Sequence, residues 1–253
     1  MVPVRPDTVP ARSTIIWKRT SKVSSIRNTM RNLRAPLDRY RAFQQLKKFH
    51  SQKRTLEEVV DKGLNFGGHG HFKIRTIQKR SEILNLARKV SEIEPRNILE
   101  IGTAWGGTLM IWAQIASHRV VSCDINDLSL QDSLFCSFSP PSSGCDVRLL
   151  NGDSHTEEFA ERAAAAFDGE PVDFLFIDGD HLYDGVKKDY ELYRKMVRPG
   201  GLIAFHDIVE NQPLPENQVY QFWKDVRDTG DTIELVDAKD QCGFGIGVLK
   251  VAA

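Results

Sequence analysis

Cysteine is scarce and unpatterned. Cys123, Cys136, Cys145 and Cys242 form no CxxC pair, which argues against a structural zinc site and a disulfide framework. No stretch approaches 18 consecutive apolar residues, so no spanning helix is expected. The N-terminus lacks the apolar segment that a secretory signal needs. A reducing, cytoplasmic setting follows as an expectation. Net charge is also absent, with 34 basic against 34 acidic residues. No fixed-period repeat is visible, and the composition is neither collagenous nor that of a disordered chain. What remains is a globular chain of 253 residues, long enough for one large α/β domain with an appendage.

The neutral total conceals a split. Residues 1–55 hold 14 Lys and Arg against Asp7 and Asp38 alone, a net charge of +12, and the rest of the chain carries −12. Such asymmetry marks a boundary between a tail and a folded body. Residues 1–60 are therefore expected to be a basic extension and 61–253 the main domain. Within the extension, 1–22 read as disordered or loosely packed. Residues 23–50 read as helix, broken near Ala35–Pro36, with Leu37, Tyr40, Phe43 and Leu46 forming one stripe. The arm suits an anionic surface, packing on the acidic body, or contact with a second copy.

From residue 75 strands and helices alternate. Helices are expected over 75–94, 107–117, 155–167, 184–197 and 217–229. Strands are expected at Asn97–Ile101, Val120–Cys123, Val147–Leu150, Val172–Ile177 and Leu202–Phe205. Two more, 232–237 and 243–250, are joined as a hairpin by Asp240–Gly243. Short apolar runs separated by helices predict an α/β, Rossmann-like, doubly wound and mostly parallel seven-stranded sheet. Helices would cover both faces, and the C-terminal hairpin would add an antiparallel strand.

Ligands of open α/β sheets bind beyond the carboxyl ends of the strands, and the polar residues of this chain gather there. Gly102 follows the first strand, Asp124 the second, Asp153 the third, Asp178 and His181 the fourth, and His206 and Asp207 the fifth. The turn LEIGTAWGGT, residues 99–108, lets the backbone approach a ligand at Gly102 and opens a helix at Gly106–Gly107. It is not GxGxxG, and Glu100 would repel a diphosphate while tolerating an ammonium and a sulfonium. Asp124 can accept a ribose diol. Asp153, Ser154 and His155 suit an adenine edge, with N-capping of the next helix as their other use.

Glu-x-Gly-x-x-x-Gly at 100–106, the acid at 124 and the closing hairpin together resemble a class I S-adenosylmethionine-dependent methyltransferase. The form EIGTAWGGT is similar to small-molecule O-methyltransferases of the catechol and caffeoyl-CoA type. FIDGDHLYDGVKKDYELYRKMVRPGGLIAFHDI, residues 176–208, more closely resembles the methyltransferase domain 24 family, which is related to sugar O-methyltransferases. The resemblance covers about residues 70–250. It implies S-adenosylmethionine contacts at Glu100, Gly102, Thr103, Gly106, Thr108, Asp124, Asp153, Ser154, His155 and Asp178.

Asp178 and Asp207, on predicted neighbouring strands, suit Mg²⁺ or a similar divalent ion. They match the positions of the acids in metal-dependent relatives. His206 would add a nitrogen ligand, and it departs from the acid often found there. His181 lies three residues after Asp178, where macrolide-sugar relatives place a histidine, and is the candidate catalytic base. Asp189 reads as structural, Trp112 as packing, and Trp105 as packing with a possible cofactor contact. His69 and His71 in GGHGHFK fall where relatives form an acceptor lid. The implied activity is metal-assisted O-methylation of a sugar or natural-product hydroxyl, by a chain that could form a homo-oligomer. A nucleotide-dependent oxidoreductase and a non-enzymatic binding module with a basic arm stand as alternatives. Nothing resembles the motifs of nucleic-acid base methylation.

Overall fold

The computed structural model describes residues 17–252, with side chains from residue 33 onward. The elements are α1 (Trp17–His50), α2 (Leu56–Leu64), β1 (Asn65–Gly67), β2 (Ile74–Arg75), α3 (Arg80–Glu92), β3 (Asn97–Ile101), α4 (Gly107–Ile115), β4 (Arg119–Asp124), α5 (Asp132–Phe135), β5 (Asp146–Asn151), α6 (Glu157–Ala165), β6 (Val172–Ile177), α7 (Tyr183–Tyr193), β7 (Val197–His206), α8 (Val219–Arg227), β8 (Asp231–Leu235) and β9 (Ile246–Lys250). Strands β1 and β2 form a small antiparallel pair, and the other seven form one sheet in the order β5-β4-β3-β6-β7-β9-β8. The five strands from β5 to β7 are parallel, and β9 runs antiparallel to both β7 and β8. This is the expected α/β architecture.

Central strands such as NILEI and VDFLFI are buried along their whole length, because helices cover both faces. Alternate residues enter different cores. Ile98, Phe174 and Phe176 pack with α1, α2, α3 and α4. Leu99, Ile101, Leu175 and Ile177 pack with α6, α7 and α8. No helix among the described residues is long and apolar enough to cross a membrane. All four cysteines are free.

The N-terminal region differs from the sequence expectation. The reading of 1–22 as disordered lies outside the described residues up to 16, and from Trp17 the chain is helical. The helix runs through Pro36 without the expected break. The buried face is Asp38, Ala42, Leu46 and Phe49, while Leu37 and Tyr40 are exposed. A strict three-residue spacing slides around a helix of 3.6 residues per turn, whereas the observed steps of three and four stay on one face. The boundary drawn at residue 60 falls inside α2, which packs in the same core as α1 and α4.

Three further differences bear on the site. Helix α3 starts at Arg80 rather than 75, leaving residues 76–79 as an extended strap after β2. Pro199, Gly200 and Gly201 lie within β7, at the irregular register opposite Val172 and Phe174, where Pro and Gly are tolerated as at a bulge. The link between β8 and β9 spans 236–245, longer than the tight hairpin expected, because β8 already ends at Leu235.

Candidate active site

The glycine turn joins β3 to α4. Gly102 has φ +100°, and a Cβ there would lie 2.1 Å from the carbonyl oxygen of Asp178. Its conformational freedom serves close approach to the tip of β6. The amide of Asp178 donates to the Ile101 carbonyl (2.9 Å), locking the two strand ends together. Gly106, at φ +72°, precedes the first turn of α4. The Arg75 guanidinium covers the half-exposed Trp105 ring at 4.1 Å, so the end of β2, from which the strap leaves, lies against this turn.

Three of the residues expected at the cofactor are buried. Glu100 is fully buried, accepting from Trp112 Nε1 (3.0 Å) and Ser122 Oγ (2.5 Å). Burial pushes its carboxyl up to about 8, against the lowering effect of these hydrogen bonds. Thr103 and Thr108 are buried as well, and Thr103 Oγ1 pairs with Ser122 Oγ at 2.6 Å. A β-strand alternates its side chains, and Glu100 falls on an interior face although its neighbours define the rim. Trp112 is core, as expected, and it also carries a polar contact.

Asp124 ends β4. Its Oδ2 accepts from the Ala104 amide (2.7 Å) and its Oδ1 from the Asn126 amide (2.7 Å) and Asn126 Nδ2 (2.9 Å). The carboxylate thus holds the glycine turn against the next strand tip. Oδ1 already has two donors, so a ribose diol would meet Oδ2 or displace Asn126. After β5, Asp153 Oδ1 accepts from the His155 amide (2.9 Å), and the Ser154 carbonyl accepts from the Tyr193 hydroxyl (2.7 Å). Thr156, not Ser154, caps α6. His155 Nε2 lies 3.6 Å from Asp189 Oδ1, and its pKa is raised chiefly by that buried carboxylate. Asp189 is buried on α7 behind the loop after β5, and neither of its oxygens has a hydrogen-bond partner.

The tips of β6 and β7 carry the densest chemistry. Asp178 Oδ1 lies 3.1 Å from His206 Nδ1 and 3.7 Å from His181 Nε2, while Asp178 Oδ2 accepts from Gln78 Nε2 (2.9 Å). Asp207 Oδ2 lies 3.3 Å from His181 Nε2 and accepts from Asn217 Nδ2 (2.6 Å), and its Oδ1 accepts from the Phe244 amide (3.1 Å). Burial opposes ionisation of Asp178, but the His206 charge and hydrogen bonds from both histidines hold it down to about 2. His181 is lifted to about 10 by its hydrogen bonds to Asp178 and Asp207. His206 is buried, and its Nε2 has no hydrogen-bond partner.

Ligand atoms of Asp178, His181 and His206 lie within 4.8 Å of one another. The set has the number and type of donors that a divalent ion takes. It differs from the expected trio of Asp178, His206 and Asp207 by exchanging Asp207 for His181. All four residues nonetheless converge.

GGHGHFK packs toward α1, with Phe72 in the core and Gly70 beside Asp38. The segment that meets the chemical end is the strap, through Gln78. Gln78 was hidden by the expected helix over 75–94, and no local pattern singles out Asn217 or Phe244. Their partners are identified only by the fold.

Residues 99–208 match the sequence pattern of a methyltransferase domain. Among curated proteins, the chain is similar to an uncharacterised protein of Acanthamoeba polyphaga mimivirus, 28% identical over 56% of this chain. It is also similar to a rhamnosyl O-methyltransferase of Mycobacterium leprae, 22% identical over 53% of this chain. It spans 65% and 58% of those relatives' lengths. Among solved structures, an O-methyltransferase from Bacillus cereus in complex with S-adenosylhomocysteine aligns over 79% of this chain and 92% of its own (TM-score 0.51, 22% identity). MycE methyltransferase of mycinamycin biosynthesis, in complex with Mg, S-adenosylhomocysteine and mycinamycin VI, aligns over 80% of this chain and 55% of its own (TM-score 0.55, 20% identity). TomG, an O-methyltransferase from Streptomyces achromogenes in complex with S-adenosylmethionine, aligns over 80% and 92% (TM-score 0.53, 17% identity). Residues 99–208 thus match the methyltransferase domain pattern, and the sheet that carries them has the fold of these methyltransferase structures.

Proposed function

We propose that this chain transfers a methyl group from S-adenosylmethionine to a hydroxyl of a sugar or natural-product small molecule, with a divalent ion assisting. The observation that carries the reading is the convergence of Asp178, His181, His206 and Asp207 at two adjacent strand tips, beside the glycine turn. Asp124 would take the ribose, and the loop Asp153–His155 the adenine edge. The donor's methyl carbon would form a C–O bond as its C–S bond breaks, leaving the thioether. The hydroxyl proton would pass to His181, whose side chain is 43% exposed and so open to an acceptor.

Asp178, His206 and Asp207 would hold the ion, which when bound lowers the pKa of a hydroxyl and orients it, leaving His181 to take the proton. The same carboxylate oxygens raise His181 to about 10. Occupancy by an ion and a proton held on His181 are therefore competing states of one cluster. A sugar or natural-product acceptor is supported by two relatives, the rhamnosyl O-methyltransferase and MycE of mycinamycin biosynthesis.

For the basic extension, a second reading concerns its surface. Leu33, Leu37 and Tyr40 are exposed on α1 beside Arg34, Arg39 and Arg41, which supports contact with an anionic surface.

Titration calorimetry with S-adenosylmethionine and S-adenosylhomocysteine tests the transferase reading. Saturable binding to both is expected, and folded protein that binds neither refutes it. Methyl transfer to a panel of glycosides should fall on exhaustive chelation and in Asp178→Asn. Full activity in both would remove the ion while leaving the transferase.

A further inference from the structure

A buried carboxylate near the start of α3 gathers three donors from one distant loop. Glu82 is 1% exposed. Its Oε1 accepts from the Asp237 amide (3.0 Å) and Gln241 Nε2 (2.8 Å), and its Oε2 from the Gly245 amide (2.8 Å). All three donors lie in the β8–β9 loop, residues 236–245. Neighbours on the same turn reinforce the grip. Lys79 Nζ donates to Gln241 Oε1 (3.0 Å), and Ser81 Oγ donates to Asp237 Oδ1 (2.5 Å).

The far end of that loop meets the chemical cluster. Phe244 has φ +64° between two left-handed glycines, Gly243 and Gly245. A bulky residue keeps such a conformation only where its surroundings impose it. Held there, its amide donates to Asp207 Oδ1 (3.1 Å), and its ring centroid lies 6.0 Å from that of His206. At the other end of the segment, Gln78 Nε2 donates to Asp178 Oδ2 (2.9 Å).

We infer that residues 78–82 are the positioning element of the chemical end: Gln78 fixes Asp178 directly, and Glu82 fixes Asp207 through the β8–β9 loop. Asp178 commits one oxygen to Gln78, and Asp207 commits Oδ1 to the Phe244 amide while Asn217 Nδ2 donates to its Oδ2 (2.6 Å). The other oxygen of each is thereby set toward the histidines, Asp178 Oδ1 at 3.1 Å from His206 and Asp207 Oδ2 at 3.3 Å from His181. One short stretch thus fixes the spacing of two carboxylates from different strands. The inference rests on the metal-assisted reading above and assigns the residues that make the site stiff enough for an ion.

The test uses Mn²⁺ as probe, followed by electron paramagnetic resonance of the free ion, with S-adenosylhomocysteine binding measured in parallel by calorimetry. The proteins are the full chain, Gln78→Leu (same size, no donor) and Glu82→Gln (same size, no charge). Outer partners of metal ligands typically matter by about 10–100-fold in affinity. Each variant should weaken Mn²⁺ by about that factor and leave S-adenosylhomocysteine affinity within about twofold, because neither substitution alters Asp124 or the loop Asp153–His155, the proposed ribose and adenine contacts. A purely structural role would lower the unfolding midpoint without this split. Lys79→Met, a milder release of Gln241, should lose Mn²⁺ affinity severalfold and serves where Glu82→Gln does not fold. Mn²⁺ affinity within twofold of the parent in both variants overturns the inference, as does an equal loss of both ligands. A loss in one variant only overturns the half assigned to the other. If the unaltered chain binds S-adenosylhomocysteine but no Mn²⁺, the metal reading itself fails, and the inference with it.

Discussion

Glu100→Gln separates the interior role of this residue from the cofactor contact that its sequence position suggests. Burial raises the Glu100 carboxyl from the ordinary 4.5 to about 8. An acid whose pKa is raised by folding is bound more tightly by a proton in the native state. Its contribution is fully present below about pH 4.5, declines as pH rises to about 8, and is constant above. At 1.36 kcal/mol per tenfold in proton affinity the whole effect is about 5 kcal/mol, an upper bound because water entry and relaxation reduce it. Glutamine keeps the shape, still accepts from Trp112 Nε1, and can donate to Ser122 while Ser122 donates to Thr103. It does not titrate. The stability difference, variant minus parent, should sit near zero or slightly negative at pH 5 and rise to about 2–4 kcal/mol by pH 9. Urea unfolding followed by circular dichroism at five pH values measures it. S-adenosylhomocysteine affinity should stay within about threefold. A difference that is flat across pH 5–9 would refute the burial reasoning, and a hundredfold loss of cofactor affinity would return Glu100 to the binding site.

Gly102→Ala should be severe, since its Cβ would meet the Asp178 carbonyl at 2.1 Å, whereas Gly144→Ala, at φ +69° with nothing within 4 Å, carries only the backbone penalty. About 3 kcal/mol or more against about 1–2 kcal/mol is expected in urea unfolding, and equal losses would contradict the close packing of the two strand tips. Asp173 accepts from the Arg96 and Asn97 amides (2.8 Å each) and from Arg198 Nε (2.5 Å). Asp173→Ala strands two amides and a guanidinium at the base of the central strands, so a cost of about 3–5 kcal/mol is expected, and a shift in the urea midpoint worth less than about 1 kcal/mol would refute it.

The extent to which the site was legible follows from where its determinants lie along the chain. Asn97–Ile101 and Val172–Ile177 were readable to the residue, because a strand covered on both faces is predominantly apolar and here ends in polar residues at the rim. Asp124, Asp178, His181, His206 and Asp207 were readable for the same reason, and the structure brings the last four together. Helix α2 was overlooked although Thr55 and Glu58 form a capping box before it, a local signal present in the sequence. The burial of Glu100, Thr103 and Thr108 was not legible, because a motif gives spacing and not the face that a side chain takes.

Local order alone therefore determined the alternation of strand and helix, the apolar central strands and the polar strand ends, since hydrophobic periodicity and turn chemistry act over a few residues. Only the folded chain decided which carboxylates face inward and what orients those that do not. The Gln78 contact to Asp178 spans 100 residues and the Glu82 contact to Gly245 spans 163. Such bonds depend on strand order and the path of a loop, which no window of sequence contains.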